Sequence, residues 1–109
     1  MTIEIHSPNL QVSEKLIKKI DKKALTLSHL GEKISRTEIY LSEDNTLTKE
    51  NKSCKIRLTI FGDELFVHKY ADSFEKAAMS AIRVLKRSLK RKQEVRNQLP
   101  DEITSTVKV

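Results

Sequence analysis

A run of ten residues near the carboxyl end of the chain, RVLKRSLKRK from Arg83 to Lys92, contains six basic residues and no acidic residue. At about 100° per residue, five of the basic side chains gather on one half of a helix, namely Arg83, Lys86, Arg87, Lys90 and Arg91. Apolar side chains gather on the other half, namely Phe74, Ala78, Ala81, Ile82, Leu85 and Leu89. Like charges at this spacing destabilise a helix, and no acid in the run offsets them. The pattern therefore predicts one packed face and an opposite face that binds a polyanion, and a solvated charged face is the alternative explanation.

A second basic helix is expected earlier in the chain. Ser13 is a candidate N-cap for a helix that ends near Leu30, ahead of Gly31. Its apolar face comprises Leu16, Ile17, Ile20, Ala24 and Leu27, and lysines cover the opposite side. A solvated face is the alternative explanation, because lysine is common on exposed helices. We nevertheless add four of these lysines to the five cations of the later helix as candidate RNA-binding residues, namely Lys18, Lys19, Lys22 and Lys23.

The composition indicates a single small domain with an anionic partner. The chain has 109 residues, enough for one modest core, and a formal net charge of +6. That charge favours nucleic acid, an anionic membrane or an acidic protein as partner. No run of about 18 apolar residues and no signal peptide is visible, and a lone cysteine is typical of a reducing compartment. We therefore expect a cytoplasmic protein that does not associate with membranes.

Alternating apolar residues predict four strands around the two helices. They lie at 2–6, 34–43 and 53–61, and a fourth follows a Gly62-Asp63 turn. A capping box at Asp72 and Glu75 is expected to begin the last helix, which should end near Gln93.

The predicted fold class is α+β with the order β-α-β-β-β-α. A right-handed crossover makes the first two strands parallel, and the others form an antiparallel meander, giving a four-stranded mixed sheet with both helices packed on one face. Residues 1–93 would form this domain, and residues 94–109 a mobile tail.

The sequence offers no pattern for catalysis or metal binding. Cys54 alternates with core residues, and His6, His29 and His68 are scattered without metal-ligand spacing. Two glycines cannot build a phosphate-binding loop. We therefore expect no enzyme activity, no cofactor, no metal and no small-molecule substrate.

The sheet face away from the helices is expected to carry aromatic side chains, namely Tyr40, Phe66, His68 and Tyr70, beside Lys55 and Arg57. Aromatic residues among cations can stack on unpaired bases. Cross-strand aromatic pairing that covers the sheet is the alternative, and we prefer it.

The sequence resembles the family of ribosome hibernation-promoting factors and ribosome-associated inhibitors, most clearly between residues 56 and 93. The opening of that family's last helix is matched by Asp72, Phe74, Ala77, Ala78 and Ala81, and its Leu-basic-x-Leu-basic-basic ending by Leu85, Arg87, Leu89, Lys90 and Arg91. The chain departs from many relatives in its nearly acid-free stretch 76–92. With no room for an additional carboxyl-terminal domain, it resembles a short member.

The resemblance implies a translation inhibitor that binds the small ribosomal subunit and its rRNA in stationary or stressed cells. It would occupy the decoding channel, block mRNA and tRNA, and be a monomer off the ribosome. A general double-stranded RNA or DNA binding module, and a module that docks an acidic protein, are the alternatives. Whether ribosomes would be paired or kept single stays open.

Overall fold

The computed structural model describes residues 2–8, 10–30, 33–44, 46, 49–60 and 62–108, with side chains described only as far as residue 92. The elements are β1 (Thr2–His6), α1 (Glu14–Leu25), a 3₁₀ helix (Thr26–Leu30), β2 (Ile34–Glu43), β3 (Lys52–Ile60), β4 (Asp63–Ala71) and α2 (Phe74–Lys108).

The four strands form one mixed sheet in the order β1-β2-β3-β4. β1 runs parallel to β2, with Ile3 opposite Thr37, while β3 runs antiparallel to both β2 and β4. α1 packs on β1 and on α2, and α2 packs on β3 and β4. The predicted α+β fold, with its parallel first pair and antiparallel meander, is confirmed.

One core lies between the sheet and the two helices. Every second residue of the central strands is buried, including Ile39 on β2 and Leu58 on β3, both fully excluded from solvent. Ile20 of α1 and Leu85 of α2 close the same core from the helix side. Small residues at Ala77, Ala78 and Ala81 leave little side-chain bulk on the first part of the buried face of α2, and large residues such as Leu85 follow them. A helix whose apolar half is buried in this way must expose its polar half to solvent.

The predicted N-cap of the first helix is confirmed, but the end of this helix differs from the prediction. The Ser13 hydroxyl accepts a hydrogen bond from the Leu16 amide at 3.1 Å. The α-helix ends at Leu25, and the chain continues as a 3₁₀ helix to Leu30. The Thr26 amide is directed to the carbonyls of both Ala24 and Lys23, the shared geometry typical of a tightening last turn. Gly31, the predicted stop, lies outside the described residues.

The capping box predicted at Asp72 and Glu75 is wrong by one residue. Ser73 caps α2, because its hydroxyl accepts a hydrogen bond from the Lys76 amide at 3.2 Å. Asp72 instead forms an ion pair with Lys76 at 3.1 Å. The helix also extends to Lys108, beyond the predicted end at Gln93. The mobility of residues 94–109 stays a prediction.

The β3–β4 turn also lies one residue earlier than predicted. Ile60 pairs with Asp63, so β4 begins directly after Gly62. Gly62 has φ +77°, a left-handed conformation that glycine adopts without a Cβ penalty. Leu65 and Val67 still face the core side, since they pair with Leu58 and Ile56.

We expect Gly62→Ala to lower the free energy of unfolding by about 1–2 kcal/mol, the cost of a Cβ in the left-handed region. The space around the added methyl is open, so backbone strain alone should account for the loss. Urea denaturation measures it. Gly62→Asn is the control and should lose less, because asparagine tolerates this conformation. Equal losses in both variants would contradict the explanation.

Cys54 is fully buried, and burial raises the pKa of its thiol to about 12. Almost no thiolate therefore exists in the folded protein at pH 8, whereas an unfolded cysteine titrates near about 8.5. We expect a thiol reagent such as DTNB to label the native protein slowly and the urea-unfolded protein at once. Immediate stoichiometric labelling of the native protein would show that Cys54 is accessible after all.

Candidate nucleic-acid interface

The outer face of α2 carries the cations that the sequence predicted there. Arg83, Arg87, Lys90 and Arg91 are exposed, and Lys86 is half-buried. The ion pairs of the described residues include none of these five side chains. Among the described residues, no acid therefore offsets their positive charge through an ion pair.

The sixth basic residue of the run points elsewhere. The Lys92 ammonium lies 2.6 Å from a carboxylate oxygen of Asp63, at the start of β4. This contact, together with the Glu64 amide, holds the pKa of Asp63 below its ordinary value. Lys92 therefore ties α2 to the end of the sheet, whereas Arg87 and Lys90 face away from it.

On α1 the four predicted lysines are exposed, but they are not equivalent. Lys19 forms an ion pair with Glu75 at the start of α2. Within the described part of the chain, no acid is paired with Lys18, Lys22 or Lys23. The Lys19–Glu75 contact therefore links the two helices. It also means that the charge of Lys19, one of the predicted RNA-binding residues, is already offset by an acid.

The Lys19–Glu75 ion pair also shows how the two basic faces are arranged. Because residues four apart lie on the same side of a helix, Lys23 follows Lys19 on the flank of α1 that faces α2. Both helices pack on the same face of the sheet, so their exposed cations lie on the same outer side of the molecule. We call this set of side chains the basic surface, and it comprises Lys18, Lys22, Lys23, Arg83, Lys86, Arg87, Lys90 and Arg91.

The opposite sheet face holds a hydrogen-bonded cluster around Glu38. The Glu38 side chain is only 5% exposed. Its oxygens accept hydrogen bonds from the Tyr40 hydroxyl at 2.6 Å and from Arg57 at 3.0 and 3.1 Å, and Arg36 lies 3.3 Å away. The hydrogen bond from Tyr40, followed by that from Arg57, holds the pKa of Glu38 below its ordinary value. The carboxylate therefore stays charged and offsets the nearby arginines.

This cluster was not predicted from the sequence. Strand alternation did place Glu38 and Tyr40 on the same side of β2. Arg57 could not be predicted as the partner of Glu38, because their pairing depends on the β2–β3 register.

Most aromatic side chains of this face contact another aromatic ring, and one is largely exposed to solvent. Tyr40 stacks on His6, with ring centroids 4.8 Å apart, and His68 contacts Tyr70 at 4.6 Å. These contacts agree with the preferred explanation, in which aromatic residues cover the sheet. Phe66 differs, because it is 64% exposed and has no aromatic partner among the described residues.

The described residues contain no group of three or more His, Cys, Asp or Glu side chains placed to hold a metal ion. In the same part of the chain, no helix has the length and apolar character needed to cross a bilayer. The arrangement offers charge and shape for binding a polyanion.

The family of the chain follows from a comparison with known protein families. Residues 3–97 match the family described as Sigma 54 modulation protein / S30EA ribosomal protein. The chain therefore belongs to this family of ribosome-associated proteins, the hibernation-promoting factor family that the sequence resembled.

Solved structures share the fold. The Thermus thermophilus Protein Y N-terminal domain is 19% identical, with a TM-score of 0.71 over 84% of this chain and 98% of that one. A ribosomal subunit interface protein from Coxiella burnetii is 18% identical, with a TM-score of 0.70 over 86% of this chain and 99% of that one. The comparison with individual curated proteins gave no match.

We expect Glu38→Gln to lower the free energy of unfolding at pH 7, because the amide cannot supply the charge that Arg57 and Arg36 contact. The folded pKa of Glu38 is lowered, so its contribution is present above the unfolded pKa and is lost as the pH falls through the folded value. The difference between variant and wild type should therefore shrink in acid. Urea denaturation at several pH values measures it.

Glu64→Gln is the matched control, since Glu64 is exposed and forms none of the ion pairs of the described residues. It should leave stability at pH 7 nearly unchanged. A constant Glu38→Gln difference from pH 7 down to pH 2 would contradict the assignment of a charged Glu38.

Proposed function

We propose that this protein is a translation inhibitor that binds the small ribosomal subunit in its decoding channel and excludes mRNA and tRNA by occupying their space. The observation that supports this proposal most strongly is the basic surface, a one-sided set of cations on two helices, without ion-pair partners among the described residues, in a member of a ribosome-associated family. The structural relative from Coxiella burnetii is named a ribosomal subunit interface protein, which agrees with a ribosomal partner.

The physical basis of binding is the release of counterions from RNA. Each lysine or arginine that contacts a phosphate frees condensed cations, which gives affinity without reading a sequence. Arg83, Arg87 and Arg91 can bind phosphate oxygens through two N–H groups, whereas the lysines act as point charges. Folded ribosomal RNA holds its phosphates at fixed spacings, so two helices packed on the same core can recognise its shape.

In this proposal the protein acts by steric exclusion and needs no catalysis, cofactor or small-molecule substrate. It works in the cytoplasm, where ribosomes are, in stationary or stressed cells. Off the ribosome it is a monomer, and on it the rRNA of the small subunit is the main partner.

The proposal is tested by sedimenting the purified protein with separated ribosomal subunits and whole ribosomes over a salt series. We expect comigration with the small subunit and with whole ribosomes, lost as salt rises. The triple variant with Arg87, Lys90 and Arg91 changed to Glu should stay at the top of the gradient while its circular dichroism matches that of the wild type.

Single substitutions provide a matched control. Arg87→Glu and Lys49→Glu change the net charge equally, but Lys49 lies in the β2–β3 loop and outside the basic surface. Arg87→Glu should weaken binding and reduce the salt slope by about 1, whereas Lys49→Glu should change neither. Equal effects would indicate that net charge alone drives binding.

Other outcomes would favour the alternatives. Equal affinity for a naked RNA or DNA duplex and for ribosomes would indicate a general nucleic-acid binding module. Binding that survives nuclease treatment and follows an acidic protein would indicate a protein-docking module. Retained cosedimentation of the triple variant would refute the role of the basic surface.

A further inference from the structure

The sheet face away from the helices combines an exposed aromatic ring with free positive charge. Phe66 on β4 is 64% exposed, the most exposed of the large apolar side chains described. Its partner in the strand register is Arg57 on β3, and Lys55 lies two residues before Arg57 on the same face. Side chains opposite each other in such a pair have Cβ atoms only about 4.5–5.5 Å apart. The Phe66 ring therefore lies beside two cations.

The two cations differ in how far nearby acids offset their positive charge. No acid among the described residues pairs with the Lys55 ammonium, and its side chain is exposed. Arg57 donates to Glu38 through Nη2 alone and remains 45% exposed. A guanidinium group has five N–H donors, so Arg57 keeps donors for a further acceptor.

A depression of 470 Å³ lies among these residues. Its lining includes Pro8, Tyr40, Ser42, Lys55, Arg57 and Phe66. Sites that hold small ligands typically have volumes of roughly 300–1,000 Å³ and combine apolar walls with a few polar groups. The Tyr40 ring in the wall is held by His6 on one side and by Glu38 through its hydroxyl. The part of the depression wall that Tyr40 forms is therefore held in position by contacts of its ring and its hydroxyl.

From this arrangement we infer that the sheet face binds an unpaired RNA nucleotide, whose base stacks on Phe66 and whose phosphate contacts Lys55 and Arg57. Stacking on an aromatic side chain beside cations is the usual way in which proteins hold single-stranded nucleic acid. One nucleotide brings one aromatic face and one phosphate, which matches one exposed ring and one free ammonium. An acidic peptide matches less well, because a single free ammonium does not balance a run of carboxylates.

This site is separate from the basic surface, since the sheet lies between them. Phe66, Lys55 and Arg57 project from the face opposite the core, and the helices cover the core face. The inference goes beyond the proposed function. A protein with both surfaces would contact folded RNA with its helices and an unpaired nucleotide with its sheet.

A fluorescence titration tests the inference directly. The chain contains no tryptophan, so Phe66→Trp introduces a single reporter at the proposed stacking position. Hexaadenylate should quench the emission of this variant in a saturable manner. Tyr70→Trp is the matched control, because Tyr70 is 42% exposed on the same strand but does not line the depression, and its variant should show much weaker quenching. Circular dichroism confirms that both variants fold.

A second substitution tests the contribution of the cation. Lys55→Ala, made in the Phe66→Trp protein, should weaken hexaadenylate binding by about tenfold, since it removes the free phosphate contact beside the ring. Lys49→Ala in the same protein removes an equal charge from the β2–β3 loop and should leave the titration midpoint unchanged.

Four results would overturn the inference. They are the absence of quenching at millimolar hexaadenylate, equal quenching by an RNA duplex, equal quenching by hexaglutamate, and an emission change that depends on protein concentration alone. The third would assign the face to an acidic peptide and the fourth to a second copy of the chain. None of these four results depends on ribosome binding. If any of them is obtained while the wild-type protein still sediments with ribosomes, this inference is refuted and the proposed function stands.

Discussion

The structure depends on the burial of one face of a four-stranded sheet beneath two amphipathic helices. Ile39, Leu58 and Leu85 are almost completely excluded from water, and apolar burial of this kind is the main favourable term in folding. Since the apolar half of each helix is committed to the core, the cations must point outward. Packing of the apolar faces therefore determines that the basic side chains face solvent. The Lys19–Glu75 ion pair links the two charged helices.

Electrostatics distinguish the two sides of the molecule. On the open sheet face, Glu38 and Glu4 lie against Arg36 and Arg57, so most positive charge there is offset. On the helices, the cations of the basic surface have no such partners among the described residues. An exposed ion pair contributes little to stability, but an unpaired cluster repels itself. Phosphates placed against the cluster would remove that repulsion, which supports the RNA partner that we propose.

Much of the fold could be predicted from the sequence, because strand alternation and helix periodicity are strong along most of this chain. Two of the errors lie where one residue decides the geometry. Ser73 rather than Asp72 caps α2, and the β3–β4 turn lies one residue earlier than predicted, since a hydroxyl and a positive φ act at single positions. The carboxyl ends of α1 and α2 were also misplaced, because hydrophobic periodicity does not fix where a helix ends. The Glu38 cluster and the Lys19–Glu75 ion pair needed contacts between elements, which local patterns do not specify. The nine predicted RNA-binding residues lie on the expected helices, and their contacts with RNA stay a prediction.

Lysine footprinting on the small ribosomal subunit tests the central claim most directly. The protein, free and bound, is treated with a limiting dose of an acetylating reagent, and modification of each lysine is measured by mass spectrometry. Our account predicts strong protection of Lys22, Lys23 and Lys90 in the complex, with Lys49 modified equally in both states. Equal modification of the helix lysines in the free and bound protein would contradict it.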